Sequence, residues 1–230
     1  MAVENFDYDV DPDRFRSNVK AVARYGLKGD VHSGVAERIA AENLWPALDM
    51  GCGEGRFRAA MGEPGLLIAT DLSMTMLQKA PAPRMCSDMT CLPVEDNRFG
   101  SAAALWCLYH LTTPVDAIRE AYRVLRPGGL FVTCAPSINN EPEVSYLFAE
   151  RKPSSFDSEI APDLVAAVFG EVEVDRWDMK AAILPDTEAL ALYLRGRRMT
   201  DAEAAEMAKD VEVPLTLTKR GALVWAYKNG

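Results

Sequence analysis

Glycines occupy alternate positions in the segment LDMGCGEGRF, residues 48–57, where Gly51, Gly53 and Gly55 follow Asp49. Glycine tolerates backbone angles that a side chain would penalise, and it lets a ligand lie directly against the main chain. The residues just before the loop are typical of a β-strand. The helix-like stretch after it would point free backbone N–H groups at a bound ligand. The pattern therefore indicates a loop for a nucleotide-type cofactor at the end of a first strand.

The loop alone does not decide which nucleotide it would bind. Dinucleotide-binding folds use the pattern G-x-G-x-x-G, whereas this chain has Arg56 where the third glycine would stand. A tight turn that binds nothing is the other interpretation of an isolated loop. The acidic residues further along the chain narrow this choice.

A carboxylate follows the next apolar segment of the chain. Residues 65–70 (GLLIAT) predict a buried strand, and Asp71 stands at its end, twenty residues after Gly51. This is about the spacing at which a second parallel strand presents an acid to a ribose. Two carboxylate oxygens can hold both ribose hydroxyls. The alternative is that Asp71 is only a turn residue ahead of a helix that Ser73 caps.

A third acidic position, Asp88, follows a short strand that we expect around Met85. The carboxylate of Asp88 could accept a hydrogen bond from an adenine amino group, and Met89 could pack on the adenine ring. A polar turn is the alternative interpretation of Asp88.

These segments occur in an order that resembles the class I S-adenosylmethionine-dependent methyltransferases. LDMGCGEG resembles the first motif of that family, ATDLS the second, CSDMTCLPVEDNRF the adenine-side segment, and VLRPGGLFV the turn and strand after the fourth helix. The resemblance covers about residues 45–136 and points to a small-molecule branch that includes quinone-biosynthesis enzymes. The chain departs from the family at Gly100, where many members have an acid. It departs again at Tyr109, where a histidine often precedes the matched His110.

The resemblance implies S-adenosyl-L-methionine as the cofactor and a small molecule as the methyl acceptor. The expected cofactor-binding residues are Asp49, Gly51, Cys52, Gly53, Gly55, Asp71, Leu72, Asp88, Met89 and Trp106, together with Tyr25 as a partner for the donor's carboxylate. Two other functions stay open at this point. One is a nicotinamide-dependent oxidoreductase, and the other is a protein that binds the cofactor without catalysis.

Methyl transfer from a sulfonium is an in-line displacement that depends mainly on aligning donor and nucleophile. Alignment alone can lower the barrier by roughly 7–11 kcal/mol. A base is needed only if the nucleophile carries a proton, and His110 is the leading candidate because imidazole titrates near neutral pH. Tyr109 could hydrogen-bond the acceptor. The alternative for His110 is a structural role at the end of strand four.

The charge of the chain argues against a nucleic-acid partner. The formal net charge is −9 over 230 residues, and a field of that sign repels polyanions. The one basic cluster, Arg195, Arg197 and Arg198, is short, and we interpret it as the solvated end of a helix. We therefore expect a small-molecule partner and a monomer or homodimer.

The cysteines and the hydropathy pattern bear on location. The five cysteines are odd in number and lack metal-ligand spacing, so we expect no metal and a reducing, cytoplasmic environment. The N-terminus is acidic and lacks the apolar core of a signal peptide. No apolar stretch is long enough for a bilayer, and we expect no membrane contact.

Strand and helix patterns alternate, which predicts an α/β fold with a parallel sheet covered on both faces. We expect a Rossmann-like, seven-stranded, mostly parallel sheet with helices on both faces and an antiparallel last strand. Residues 1–230 would form one class I methyltransferase domain, with an N-terminal helical cap over residues 1–44. Residues 137–158, and a helical insertion over residues 185–211 after strand six, would cover the acceptor side.

Three element boundaries are specific enough to be checked. We expect strand four over residues 102–108 and strand six over residues 171–179. We also expect a hairpin whose strands, residues 213–218 and 222–227, are joined at Arg220-Gly221.

Overall fold

The computed structural model describes residues 7–27, 31–62, 65–148, 154–197 and 199–230. Contacts divide the chain into two compact units. The helical unit comprises Met1–Gly29, Asn139–Lys152 and Trp177–Arg220, and the sheet unit comprises Asp30–Ile138, Pro153–Arg176 and Gly221–Gly230. Both the expected N-terminal cap and the segment 137–158 are therefore shared between the two units. The single domain over residues 1–230 stays a prediction.

The strands of the described residues form one seven-stranded sheet in the order β3-β2-β1-β4-β5-β7-β6. Strands β1 to β5 pair in parallel, and β7 runs antiparallel to β5. The predicted Rossmann-like sheet is confirmed. The strands are β1 (Ala47–Met50), β2 (Leu67–Asp71), β3 (Arg84–Cys86), β4 (Phe99–Leu105), β5 (Leu125–Pro136), β6 (Glu173–Leu184) and β7 (Leu215–Tyr227).

Four of the helices in the described residues begin at a residue whose side chain caps them. The side chain of Ser73 accepts from the Met76 N–H at 3.2 Å, and Thr200 and Glu203 form a capping box. The helices are α1 (Asp7–Val10), α2 (Pro12–Tyr25), α3 (Val31–Ala41), α4 (Arg56–Met61), α5 (Met74–Leu77), α6 (Pro114–Val124), α7 (Ala161–Phe169), α8 (Thr187–Arg195) and α9 (Asp201–Met207). The helical insertion expected over residues 185–211 is confirmed, and it contains α8 and α9.

Each unit has its own apolar core. In the sheet unit, β4 is buried at every position, as expected for a strand covered on both faces. Side chains of α6 and α7, such as Ile118 and Phe169, pack with those of β1 and β5. In the helical unit, Leu190 and Leu194 of α8 pack with Ala21 of α2. These cores hold the strand ends in place.

Two predicted strand boundaries are wrong. Strand β4 ends at Leu105, because Trp106 adopts a positive φ of 60° and turns the chain out of the sheet. A 3₁₀ turn, Leu108–His110, follows instead. Strand β6 begins at Glu173 and extends to Leu184, beyond the predicted residues 171–179.

The predicted hairpin at Arg220-Gly221 is also wrong. Strand β7 runs without interruption through both residues, and Gly221 pairs with Pro136 of β5. Tight hairpin turns need a positive φ at one or both central residues, and Gly221 does not adopt one. The Arg220 N–H donates to the side chain of Asn140 at 2.9 Å, which supports the extended backbone at this position.

Close packing explains why Gly100 departs from the family pattern. A Cβ at Gly100 would lie 2.5 Å from the backbone carbon of Leu44 and 2.8 Å from the backbone nitrogen of Trp45. The Gly100 N–H also donates to the Pro46 carbonyl at 2.8 Å. The segment before β1 therefore leaves no room for an acidic side chain here.

Candidate functional site

The glycine loop after β1 adopts backbone angles that suit glycine alone. Gly51, Gly53 and Gly55 have φ values of 75°, 55° and 90°, in the left-handed region that side chains disfavour. The backbone N–H groups of Gly51 and Cys52 both donate to the Thr70 carbonyl, at 2.8 and 2.9 Å. The loop is therefore fixed to the end of β2.

Gly51 also makes room for side chains of the protein itself. A Cβ at Gly51 would lie 2.8 Å from Cβ of Cys107 and 2.9 Å from Cε of Met89. Met89 thus lies against the glycine loop, and its place beside the cofactor stays a prediction. Cys52 is buried in the same loop, and burial, followed by the charges of Asp49 and Asp71, raises the pKa of its thiol.

Asp71 joins the glycine loop to the start of α5. Its Oδ2 accepts from the Gly53 N–H at 2.8 Å, and its Oδ1 accepts from the Ser73 N–H at 2.9 Å. Asp71 is therefore a turn residue. Since each carboxylate oxygen has a second lone pair, the same side chain can still accept from ribose hydroxyls. Leu72, half-buried, follows it directly.

Asp49 is a buried acidic residue of β1. It is 2% exposed, and its neighbours in β1, Leu48 and Met50, pack in the core of the sheet unit, so its own side chain points to the opposite face. Its Oδ2 has no hydrogen-bond partner among the residues that the structure describes. Burial, followed by the charge of Asp71, raises the pKa of Asp49 to about 8.

Asp88 and Met89 follow β3, as predicted. Oδ1 of Asp88 accepts from the backbone N–H and the hydroxyl of Thr90, at 2.8 and 2.7 Å. Asp88 is therefore a turn residue. Its proposed contact with an adenine amino group would use the lone pairs of the carboxylate that the turn leaves free. Met89 is partly buried and packs against the core of the sheet unit.

Trp106, expected at the cofactor, lies just past β4, and the two residues expected at the acceptor follow it. Trp106, half-buried, has a φ that bulky residues seldom adopt, and such strain clusters at functional sites. The turn that follows places the rings of Tyr109 and His110 4.6 Å apart, with an angle of 56° between them. His110 is exposed, and its backbone N–H donates to the Cys107 carbonyl at 3.0 Å.

The sheet unit thus brings most of the predicted residues to one edge of the sheet. The glycine loop, Asp71 and Asp88 follow the carboxyl ends of β1, β2 and β3, and Trp106 follows β4. In open α/β sheets, ligands bind outside these strand ends. The arrangement can hold a nucleotide-type ligand, with His110 exposed and Tyr109 half-buried beside it.

Tyr25 belongs to the helical unit. It is half-buried at the end of α2, with the Arg24 guanidinium 5.3 Å from its ring centre. It lines a cavity of about 210 Å³ in that unit, together with Lys20 and Glu188. Its assignment to the donor's carboxylate stays a prediction.

The basic cluster is not a solvated helix end. Arg195 pairs with Asp11 at 2.8 Å. The guanidinium of Arg197 donates to Glu141 at 2.7 Å and to the hydroxyl of Tyr193 at 2.6 Å. Arg198 lies outside the described residues. Sequence reasoning missed this network because its acid comes more than fifty positions earlier in the chain.

Tyr193 is part of the same network. Its side chain is 1% exposed, which leaves its aromatic ring no surface for contact with an acceptor. Its hydroxyl also accepts from Nζ of Lys219 at 2.6 Å. Tyr193 is therefore an internal residue of the helical unit, as are Leu190 and Leu194. Tyr146, by contrast, is 64% exposed.

Two features of the described residues bear on other functions. No three His, Cys, Asp or Glu residues among them lie close enough to hold a metal ion together. Within the same residues, no helix combines the length and the apolar character that crossing a membrane requires. The absence of a metal from the reaction stays a prediction.

Comparison with known proteins relates part of this chain to one family. Residues 48–133 match the family described as "Methyltransferase domain". A malonyl-[acyl-carrier protein] O-methyltransferase of Marinomonas sp. (strain MWYL1) is 32% identical over 145 residues, which cover 55% of this chain and 52% of that protein. A demethylmenaquinone methyltransferase of Clavibacter sepedonicus is 27% identical over 175 residues, covering 72% and 68%. The match thus spans about half the length of the Marinomonas relative.

The fold has close counterparts among solved structures. A SAM-dependent methyltransferase from Thermotoga maritima superposes with a TM-score of 0.62 and 16% identity, covering 96% of this chain and 98% of that one. The chain therefore has the fold of the class I S-adenosylmethionine-dependent methyltransferases, and its residues 48–133 carry the match to the methyltransferase-domain family. The resemblance drawn from the sequence is confirmed.

Proposed function

We propose that the protein transfers a methyl group from S-adenosylmethionine to a small-molecule acceptor by in-line displacement. One observation carries this proposal. The Gly53 N–H donates to Asp71 and so joins the glycine loop to the end of β2. Near this junction lies the buried Oδ2 of Asp49, which has no hydrogen-bond partner among the described residues. A nucleoside with a cationic substituent fits this combination. Asp71 can accept hydrogen bonds from the ribose hydroxyls, and positive charge is favoured near two carboxylates.

The residues of the sheet unit divide into those that hold the donor and those that face the acceptor. The glycine loop, Asp71 and Leu72 would hold the ribose end, and Asp88 and Met89 the adenine. When bound, S-adenosylmethionine supplies a methyl group already activated by positive sulfur. The protein has to align the two ligands and keep water out.

Tyr109 and His110 are the residues that we assign to the acceptor. If the acceptor's nucleophile carries a proton, the His110 imidazole can accept it, since the side chain is exposed and next to the Tyr109 ring. Tyr109 can orient the acceptor through its hydroxyl. Tyr25 is kept as a proposed partner for the donor's carboxylate.

The acceptor class is proposed from the relatives. The names of the two relatives specify a malonyl-acyl-carrier protein and a demethylmenaquinone as their substrates. A small organic acceptor is also consistent with the net charge of −9, which disfavours nucleic acid. We keep the cytoplasm as the proposed location, which the buried thiols of Cys52, Cys107 and Cys134 support. A monomer or homodimer is the proposed assembly.

The nicotinamide alternative has less support. The position of Arg56 breaks the dinucleotide pattern, and the family match covers the glycine loop and both downstream acids. No specific feature favours a protein that binds the cofactor without catalysis.

Methyl transfer is tested with S-adenosylmethionine that carries a labelled methyl group. The purified protein is incubated with a panel that includes a malonyl thioester and a demethylated quinol, and the label is followed into the product. We expect transfer to one acceptor class and its loss in D71A. Label transfer that D71A leaves unchanged would contradict the site, and no transfer to any small molecule would contradict the proposed reaction.

A further inference from the structure

The surroundings of Asp49 are unusual for an ionised carboxylate. The side chain is 2% exposed, and within the described part of the chain Oδ2 has no hydrogen-bond partner. Burying a carboxylate without partners is costly, and such groups usually take up a proton instead. The free protein therefore favours the neutral acid at this position.

The neighbours of Asp49 within the sheet are apolar, and the charge that acts on its carboxyl is negative. In the sheet, Asp49 lies opposite Ala69 of β2 and Ala103 of β4, which are apolar and uncharged. The charge that acts on Asp49 comes from Asp71 at the end of β2. Two ionised carboxylates in a shared site repel each other, and this also favours protonation of the buried one.

The other titratable groups near Asp49 are thiols. The charge of Asp49 helps to raise the pKa of the Cys52 thiol, in the glycine loop, and of the Cys107 thiol, past β4. Burial raises the pKa of both thiols, so they stay neutral. Arg84, whose charge reaches Cys52, is exposed and donates to the backbone carbonyls of Gln78 and Ala80. Among the residues described, the free protein offers Asp49 no cationic hydrogen-bond partner.

We propose that Asp49 carries a proton in the free protein and releases it when a ligand with a primary ammonium group enters the glycine loop. The O–H bond of the carboxylic acid breaks, the proton passes to solvent, and the new carboxylate balances the ammonium charge of the ligand. This inference rests on the proposed function, because it assumes that the donor's amino-acid end enters this loop. It makes cofactor binding depend on pH near neutrality.

The inference is tested by counting protons in wild-type protein. S-adenosylhomocysteine is titrated at pH 7 by calorimetry in two buffers of different ionisation enthalpy. 5′-Methylthioadenosine, which keeps the adenosine but lacks the ammonium and carboxylate, is the matched ligand. We expect close to one proton to be released with S-adenosylhomocysteine and none with 5′-methylthioadenosine. The Kd of S-adenosylhomocysteine should fall about tenfold between pH 6 and pH 7.

Two results separate this inference from the proposed function. If S-adenosylhomocysteine binds without releasing a proton, or if both ligands release the same number, the proton linkage is wrong while the donor site stands. If neither ligand binds at any pH, the donor site fails, and the proton linkage fails with it.

A measurement without ligand gives a second test. D49N keeps the shape of the side chain and cannot ionise. A native-state pKa of about 8 lies above the ordinary value of 3.8, so the native protein binds the extra proton and loses stability as pH rises towards 8. The stability of wild type relative to D49N should therefore fall between pH 6 and pH 8 and level off above it. A difference that stays constant over this range would contradict the inference.

Discussion

The backbone N–H of Gly53 donates to Oδ2 of Asp71 at 2.8 Å, which makes the loop after β1 and the end of β2 a single structural element. The residue expected to bind a ribose therefore also shapes the loop that would bind the rest of the donor. Substitutions at Asp71 should consequently affect both ligand affinity and local stability.

Asp71→Ala should weaken the binding of S-adenosylhomocysteine by about 2–4 kcal/mol, because charge-assisted hydrogen bonds to two hydroxyls are lost. Unfolding in urea should show a smaller loss of about 1–3 kcal/mol, since two backbone N–H groups lose their acceptor. The matched control is Asp116→Ala, which removes an exposed pair with Arg119. Unchanged affinity in D71A would remove Asp71 from the ribose site.

Gly100→Ala should destabilise the protein by about 1–3 kcal/mol, because the added Cβ would overlap the backbone of Leu44 and Trp45. Gly34→Ala is the matched control. Gly34 lies in α3, with nothing within 4 Å of an added Cβ, so this change should stabilise by up to about 1 kcal/mol. Urea unfolding measures both variants. Equal effects of the two substitutions would show that Gly100 is not needed for packing.

His110→Gln should lower kcat by roughly 10²–10⁴-fold if the acceptor's nucleophile loses a proton to the imidazole. The Kd of S-adenosylhomocysteine should stay at the wild-type value, because His110 lies beyond the donor-binding residues. Tyr109→Phe, which keeps the neighbouring ring, should change the acceptor's KM more than kcat. A kcat of H110Q equal to that of wild type would exclude His110 as a general base.

Glu141→Gln should destabilise the protein by about 3–5 kcal/mol, the usual cost of breaking a buried ion pair. Burial alone would raise the pKa of Glu141, but the charges of Arg197 and Lys219 outweigh it and hold that pKa well below its usual range. A lowered native pKa contributes stability above the unfolded value near 4.5, which is lost as pH falls below it.

The control for E141Q is Asp178→Asn, which removes a carboxylate 63% exposed in its pair with Arg220. An exposed pair contributes about 0–1 kcal/mol. Urea unfolding at pH 7 and pH 3 should show a large gap between wild type and E141Q at pH 7 and a smaller one at pH 3. A gap that is the same at both pH values would contradict the charge network.

Local patterns were enough to predict the loop and strand ends that carry the proposed donor site. The three glycines, the acid at the end of the second strand and the cap at Ser73 are short-range features, and the structure places them where the sequence indicates. The seven-stranded, mostly parallel sheet with an antiparallel last strand also followed from the resemblance. Features that depend on distant residues were missed, because no local pattern reports them.

Three residues illustrate what the sequence did not reveal. The break after β4 arises from the positive φ of Trp106, which propensity would not predict for a bulky residue. The sequence suggested that Arg197 is solvated, whereas it pairs with the buried Glu141. The dipeptide Arg220-Gly221 resembles a turn, but pairing with β5 keeps it extended. In each case tertiary contacts override the local preference.

Titration calorimetry of the purified protein with S-adenosylmethionine, S-adenosylhomocysteine, NAD and NADP tests the central claim most directly. The claim is that the glycine loop, Asp71 and Asp88 form a site for a sulfonium nucleoside. We expect both adenosyl ligands to bind at one site per chain and neither dinucleotide to bind. Binding of NAD or NADP without binding of either adenosyl ligand would contradict the account.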